Sequence, residues 1–170
     1  MQNWFTADAH FNDFEMIGFA QRPYKTDAQM NADLIKRWNT RVNPGDTVYH
    51  IGDFRMHGGP TVEEITAQLN GHIVFIKGNH DNNNKLKTIL EEAVVLTHGK
   101  RILLVHDPMD AWKRLEDYDI AFVGHVHKAW KYKKFVVNVG MDVWDRYPVH
   151  AKTILNGYEK WLKTEGAVCQ

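Results

Sequence analysis

The chain has 170 residues, of which 44% are hydrophobic and 25% are charged, and its net charge at pH 7 is zero. This length predicts one compact domain over residues 1–170. The balanced charge argues against a protein held on nucleic acid mainly by a broad basic face. No apolar run is long enough to cross a bilayer and no secretory leader is apparent. Cys169 is the single cysteine, which excludes an internal disulfide and predicts a reducing, cytoplasmic compartment away from membranes.

The first half of the chain alternates between predicted strands and helices. Short apolar runs predict strands over 4–7, 47–51 and 73–76. Asp27 is placed to cap a helix whose apolar residues recur at helical spacing up to Trp38. Pro60 is expected to open a second helix that Asn70 and Gly71 close. Leu86, Ile89 and Leu90 predict a third helix after a run of asparagines.

The second half of the chain, from about Val94, is richer in predicted strands. These cover 102–105, 120–123 and 135–139, and a closing helix is expected over 151–162. No repeat, low-complexity tract or linker divides the sequence. The expected fold class is α/β, with sheets in the middle and helices outside. In such folds a site at the carboxyl ends of the strands is the general expectation.

Five clusters of Asp, Asn and His follow the predicted strands. They are Asp8-Ala9-His10, Gly52-Asp53, Gly78-Asn79-His80-Asp81, His106 and Gly124-His125-Val126-His127. Taken singly, each cluster also fits a polar turn or an ordinary core or surface histidine. Five of them at successive strand ends in a chain of this length indicate a metal site. They offer carboxylate and amide oxygens and imidazole nitrogens, which suit hard or borderline divalent cations, and they are numerous enough for two ions.

The spacing within the clusters suggests individual roles. Asp53, after a glycine that permits a sharp turn, is the natural bridge between two cations because a carboxylate has two oxygens. Asp8 and His10 are two residues apart, so on an extended segment both side chains point to one side. The same holds for His125 and His127 if the turn after the strand re-aims one of them. Such a dinuclear site is typical of phosphoester hydrolysis.

The order Asp-x-His, Gly-Asp, Gly-Asn-His-Asp, His and Gly-His-x-His resembles the signature of the calcineurin-like metallophosphoesterases. Every element of that signature is present. The resemblance extends to Arg22-Pro23-Tyr24 and to the stretch over 138–144, where the chain is similar to small stand-alone members from bacteria and phages. It implies a four-layer αββα sandwich, in which two mixed β-sheets are flanked by helices and the dinuclear metal site lies at strand carboxyl ends.

The resemblance also implies residue roles. Asp8, His10 and His127 would hold the first metal, and Asn79, His106 and His125 the second, with Asp53 between them. His80 would face the substrate phosphate and assist the leaving group, steadied by Asp81. The cofactors would be two divalent ions among Mn²⁺, Fe, Zn²⁺, Ni²⁺ and Co²⁺, with Mn²⁺ favoured in vitro.

The expected reaction is hydrolysis of a phosphate ester by hydroxide generated between the two cations, with His80 as proton donor. Because no long insertion forms a cap, a nucleotide, a nucleic-acid end or another small phosphodiester is the favoured substrate. A phosphomonoesterase or protein phosphatase, and a non-catalytic scaffold of the same fold, are the alternatives. The native substrate, the metal pair and the oligomeric state stay open at this level.

The residues outside the signature receive weaker predictions. Arg55 and His57 follow the bridging Asp53 closely enough to reach a phosphate oxygen. The lysines of segment 128–134, interleaved with Trp130 and Tyr132, could contact nucleic acid, but the solvated face of a hairpin with aromatic packing beneath is favoured. The other histidines, which include His50, are expected at the surface or as hydrogen-bonded core residues.

Overall fold

The computed structural model describes residues 1–81, 86 and 89–164; Cys169 therefore lies outside the described residues. Its strands are β1 (Asn3–Thr6), β2 (Thr47–Ile51), β3 (His72–Ile76), β4 (Ile89–Leu90), β5 (Ala93–Thr97), β6 (Lys100–Leu104), β7 (Ile120–Val123), β8 (Tyr132–Lys133), β9 (Val136–Asn138) and β10 (Val149–His150). Its helices are α1 (Phe14–Phe19), α2 (Asp27–Arg41), α3 (Val62–Thr66), α4 (Pro108–Trp112) and α5 (Ala151–Thr164). Leu115–Asp117 and Met141–Val143 form 3₁₀ turns.

The strands form two five-stranded mixed sheets. The first has the order β10-β1-β2-β3-β4 and the second the order β5-β6-β7-β9-β8. In the first sheet β1 to β4 are parallel and β10 is antiparallel. In the second sheet β6, β7 and β9 are parallel, while β5 and β8 run antiparallel at its edges. The strands that precede all five polar clusters are thus parallel strands.

Side chains alternate between the two faces of each strand, so the buried apolar residues form three core clusters. On β7, Ile120 and Phe122 pack between the two sheets, while Ala121 and Val123 face the outside of the second sheet. Helix α4 covers that outer face through Ala111. Helices α2 and α3 cover the outer face of the first sheet, and α5 packs against the core between the sheets. The four-layer αββα sandwich is confirmed. Within the described part of the chain, no helix has both the length and the apolar character for crossing a membrane.

Some element boundaries differ from the prediction. Thr26, not Asp27, caps α2, because its side chain accepts the Gln29 N–H. Helix α3 begins after Thr61, whose side chain forms a reciprocal capping box with Glu64, and it ends at Thr66. Pro60 therefore precedes the cap. These caps are local hydrogen bonds that hydrophobic spacing does not reveal.

The helix predicted from Leu86, Ile89 and Leu90 is wrong for the residues that the structure describes. Ile89–Leu90 forms β4, which pairs in parallel with Phe75 and Ile76 of β3. Leu86 has no regular structure, and residues 82–85 and 87–88 lie outside the described residues. A short apolar pair fits either a helix or a strand, and here pairing with the sheet edge decides the outcome.

The segment 128–134 leads into a hairpin with aromatic packing beneath it. Tyr132 of β8 pairs with Val137 of β9, and its ring contacts Trp144, Tyr158 and Trp161. The Lys131 ammonium lies 3.4 Å from the Trp144 ring centroid. The apolar parts of this segment therefore support the fold. Its contact with nucleic acid stays untested.

His50 on β2 is a buried histidine, and it does not fit the expectation of a hydrogen-bonded core residue. Both ring nitrogens are buried without a hydrogen-bond partner. The ring packs edge-on to Phe54, with centroids 5.0 Å apart, and beside Phe75. Burial, which penalises the charged imidazolium, lowers the pKa of His50 to about 4. The fold therefore requires this histidine to be neutral.

This requirement predicts an acid sensitivity of the metal-stripped protein. Because the folded-state pKa of His50 lies below its ordinary value, stability is lost as pH falls from about 6.5 towards 4, by up to ~1.4 kcal/mol per pH unit. His50→Leu should remove this loss, whereas His72→Leu, at an exposed position on β3, should keep it. Urea unfolding at pH 7, 5.5 and 4.5 measures the difference. A difference between wild type and His50→Leu that does not change with pH would contradict the assignment.

Candidate metal centre

The five polar clusters meet where the carboxyl ends of both sheets come together. The loops after β1 and β2 are joined by hydrogen bonds from Asp8 N–H to the Gly52 carbonyl and from His10 N–H to the Asp53 carbonyl, both 3.0 Å long. The loop after β7 is joined to the first sheet because His125 N–H donates to Asp8 Oδ1 at 3.0 Å. Residues from both sheets therefore surround a single site.

Most candidate ligands sit on left-handed backbone. Positive φ angles occur at Asp8 (55°), His10 (50°), Asp53 (57°), His125 (70°) and His127 (45°). The extended geometry expected for Asp8-Ala9-His10 is therefore wrong, although both side chains still reach one site. Left-handed backbone costs an L-residue roughly 1–2 kcal/mol. Strain of this kind concentrates at functional sites, where the surrounding structure holds it in place.

Asp8, His10 and His127 form a first group of donors. One ligand atom from each lies within 4.8 Å of those of the other two. Asp8 Oδ2 and His10 Nε2 are buried and have no hydrogen-bond partner. A buried polar atom without a partner is costly, so two of them aimed at one point fit a bound cation.

Asp53 lies between this group and His106. Its Oδ2 is 3.6 Å from His10 Nε2 and 3.3 Å from His106 Nε2. Its Oδ1 instead accepts the His80 N–H at 2.9 Å. Asp53 is the predicted bridge because a carboxylate has two oxygens, and in the structure a single oxygen, Oδ2, faces both His10 and His106.

A second group of donors converges on Asn79. Its Oδ1 is 3.1 Å from His106 Nε2 and 3.0 Å from His125 Nδ1. His106 Nδ1 lies 2.9 Å from the Ile51 carbonyl and donates its proton there, so Nε2 is the ring nitrogen that faces Asn79 and Asp53. The side chains of Asn79, His106 and His125, which are ligand types expected for a second ion, thus lie close together.

The charges of the side chains around the site favour the binding of a cation. Although burial opposes ionisation, the hydrogen bond and charge of His106 keep the pKa of Asp53 well below its usual range. Burial lowers the pKa of His106, but its hydrogen bond to Asp53 and the charge of Asp8 outweigh this and raise it to about 9. Buried carboxylates that hold a proton on a neighbouring imidazole form a field suited to a divalent cation.

Two carboxylates orient the histidines of the first group. His10 Nδ1 donates to Asp13 Oδ2 at 2.9 Å, and His127 Nδ1 donates to Asp142 Oδ2 at 3.0 Å. Each contact leaves Nε2 directed away from the carboxylate, as is typical of metal-binding histidines. Asp142 is in turn held by Arg22, whose guanidinium also donates to the Asp8 carbonyl at 2.7 Å.

No motif in the sequence gives these supporting residues a role. Arg22 and Asp142 lie within the stretches that carry the family resemblance, which is the one signal that points to them. Asp13 follows His10 by three residues, a spacing too common to single out. It also caps α1 through the Met16 N–H.

Asp81 builds the turn that presents Asp53. Its Oδ2 accepts the N–H groups of Gly78 and Asp53, both at 2.8 Å, and its Oδ1 accepts the Phe54 N–H at 3.1 Å. The structure thus gives Asp81 a task beyond the expected steadying of His80, which stays a prediction. Gly78 is required here because a Cβ atom would lie 2.1 Å from Asp53 Oδ1.

A cavity of about 440 Å³ opens over the two groups of donors, and His80, Asn79 and Asp53 are among the residues that line it. The exposed His80 ring lies edge-on to His10, with centroids 5.5 Å apart. Of residues 55–57, Met56 lines this cavity. The Arg55 guanidinium donates to the carbonyls of Gly58 and Pro60, and His57 is exposed. Substrate contact by Arg55 and His57 stays a prediction.

Comparison with known proteins places the chain that carries this site in a family. The model of the calcineurin-like phosphoesterase superfamily domain matches residues 1–155. An uncharacterized protein of Methanocaldococcus jannaschii is 30% identical over 162 residues, which cover 91% of this chain and 89% of that protein. A cAMP/cGMP dual specificity phosphodiesterase of Mycobacterium tuberculosis is 28% identical over 129 residues, 69% of this chain but only 39% of that enzyme.

A solved structure supports the fold alone. A protein of unknown function from Aquifex aeolicus superposes with a TM-score of 0.72 at 23% identity, covering 91% of this chain and 97% of its own. The expected metal dependence is a property of the family. The groups Asp8, His10, His127 and Asp8, Asp53, His106 each bring their ligand atoms within 4.8 Å of one another and fit it. The chain belongs to the calcineurin-like phosphoesterase superfamily and is a hydrolase of phosphate esters.

Proposed function

We propose that the protein is a dinuclear-metal phosphodiesterase that acts on nucleotides or other small phosphodiesters. The observation that carries this proposal is the convergence of seven donor side chains, of which five line one open cavity and two have unpartnered buried atoms. The phosphodiesterase from M. tuberculosis, which is similar over 129 residues, supports the same class of reaction.

The proposed ligand roles follow from the two donor groups. Asp8, His10 and His127 would hold one cation, Asn79, His106 and His125 would hold the other, and Asp53 would contribute to both. Two bound divalent cations supply Lewis acidity and a nucleophile at neutral pH. Asp13 and Asp142 keep the first pair of imidazoles oriented, because each carboxylate accepts the Nδ1 proton.

His80 is proposed as the proton donor to the leaving oxygen. Its backbone N–H is held by Asp53 Oδ1, which fixes the residue beside the bridging carboxylate. Its ring is exposed in the cavity and so is able to meet a substrate oxygen. An imidazolium at this position donates its proton as the ester bond breaks.

The open cavity favours a diester. A phosphodiester carries two ester groups, so a site for it needs space on two sides of the phosphate. Asn79, His80 and His125 are all exposed although they line the cavity, which leaves that space. A non-catalytic scaffold would have no need of the full donor set or of a histidine at position 80.

Assay of the Mn²⁺-loaded protein on bis(4-nitrophenyl) phosphate, a cyclic nucleotide and 4-nitrophenyl phosphate tests the proposal. We expect a higher kcat/KM on the diesters than on the monoester, and loss of all activity in Asp53→Asn. Preference for the monoester would favour a phosphomonoesterase. Hydrolysis of none of them, with metal bound, would favour the scaffold.

The ligand roles predict unequal effects on metal content. Asn79→Ala should weaken the second cation and leave the first, because Asn79 Oδ1 faces His106 and His125, which both belong to the second group. Asp53→Asn should weaken both, since the bridging charge is removed. Mn²⁺ titration by calorimetry, with elemental analysis of the dialysed protein, counts the ions. Equal loss of both ions in Asn79→Ala would contradict this division of the ligands.

The role of His80 predicts a dependence on the leaving group. His80→Ala should keep both metals and lose ~10²–10⁴-fold in rate on alkyl esters, the range for a missing general acid. On nitrophenyl esters the loss should be much smaller, because nitrophenolate leaves without a proton. His72→Ala, an exposed histidine at the other end of β3, is the matched control. Equal losses on both kinds of ester would make His80 a phosphate-binding residue instead.

A further inference from the structure

An apolar surface adjoins the metal ligands inside the same cavity. Met16, Phe19 and Met56 line the cavity together with the candidate ligands. Phe19 is 74% exposed, whereas Met16 is only 7% exposed. The Phe19 ring stands edge-on to the imidazole of His127, with centroids 5.4 Å apart and an interplanar angle of 79°. One apolar ring thus borders the donor set while most of its surface stays open.

The position of Phe19 is fixed relative to the metal ligands. Asp13, which orients His10, also caps α1, the helix that ends at Phe19. After the helix, the Arg22 N–H donates to the Ile17 carbonyl at 2.9 Å, and the Arg22 side chain binds Asp142. Helix α1 is therefore tied at both ends to residues that support the site, so the backbone at Phe19 cannot shift without disturbing them.

The charges of the cavity limit which groups of a substrate can lie against the Phe19 ring. Asp13 and Glu15 line it, and its lining includes no lysine or arginine among residues 1–81, 86 and 89–164. A second phosphate group on the substrate would meet acidic side chains here without a described cationic partner. The part of the substrate that lies beyond the reacting phosphate is therefore expected to be uncharged.

We propose that Phe19, with Met16 and Met56, forms the subsite for a flat apolar ester group, such as an aryl group or a nucleobase, on a small phosphoester with a single phosphate. This inference rests on the proposed function and assigns Phe19 as a specificity-determining residue. An aromatic ring that is open on one side and fixed at one edge offers a stacking face for such a group.

Direct binding tests the subsite without turnover. Calorimetry on the Mn²⁺-loaded protein compares phenylphosphonate with methylphosphonate, which share the phosphonate group and differ in the ring. The wild type should bind phenylphosphonate more tightly. Phe19→Ala should weaken phenylphosphonate by roughly 3- to 30-fold, the range of one aromatic contact, and leave methylphosphonate unchanged.

Phe14→Ala is the matched control. Phe14 begins the same helix and is 62% exposed, but it is not among the residues that line the cavity. Its removal should change neither affinity. Phe19→Leu keeps an apolar side chain without the ring and should lose part of the phenylphosphonate affinity, which separates stacking from disturbance of α1.

Two results would overturn the subsite: equal affinity of the wild type for the two phosphonates, or equal weakening of both by Phe19→Ala. The outcome is separable from the proposed function. Phenylphosphonate binding that depends on Phe19, in a protein that hydrolyses no phosphoester, would refute the activity and keep the subsite. Hydrolysis of diesters without any preference for phenylphosphonate would refute the subsite alone.

Discussion

Two buried carboxylates, those of Asp8 and Asp53, impose the constraint on which the rest of the site depends. Both lie at the junction of the two sheets with almost no exposure to solvent. A charge of this kind is stable in a protein interior only when hydrogen bonds or opposite charges compensate it. Here Asp8 Oδ1 accepts the His125 N–H and Asp53 Oδ1 accepts the His80 N–H, while Oδ2 of each is left facing the histidines.

Compensation of these charges explains the hydrogen bonds around the site. Asp81 uses both of its oxygens to hold the backbone that carries Asp53. Asp142 and Arg22 form a buried ion pair that reaches from His127 to the Asp8 carbonyl. Burial raises the pKa of the Asp142 carboxyl. The hydrogen bonds and charges of His127 and Arg22 outweigh this effect and hold that pKa at about 2. Asp142 thus stays charged at neutral pH and keeps its contacts with His127 and Arg22.

The sequence predicts most of the strands and places the candidate ligands directly after them, because both are local signals. An apolar run followed at once by Asp, Asn or His marks a strand end and a donor together, as in 47–51 followed by Asp53. The four-layer arrangement is what the family resemblance implies, whereas the residue pattern alone predicts only an α/β fold with helices outside the sheets. Apolar spacing alone misplaced β4, because two residues carry too little periodicity to separate a strand from a helix.

The features that the sequence does not predict are those set by distant contacts. The left-handed backbone of Asp8 and His10 is stabilised by bonds to Gly52 and Asp53, more than forty residues away. The pairing of His127 with Asp142 depends on the turn after β9, and that of Asp142 with Arg22 joins residues 120 positions apart. No local pattern encodes such a contact. The unpartnered nitrogens of His50 likewise follow from the packing of Phe54 and Phe75 around it.

The contact between Arg22 and Asp142 also bears on when the site forms during synthesis and folding. Asp8 and His10 leave the ribosome early, but His127 and Asp142, which complete and support the first group of donors, follow more than a hundred residues later. A nascent chain that has paired only β1, β2 and β3 still lacks that group. Contacts of such long sequence separation form late. Cation binding therefore stabilises the finished fold relative to partly folded intermediates. Metal supply would then act on the last step of folding, by trapping the docked sheets, and would leave the earlier steps unchanged.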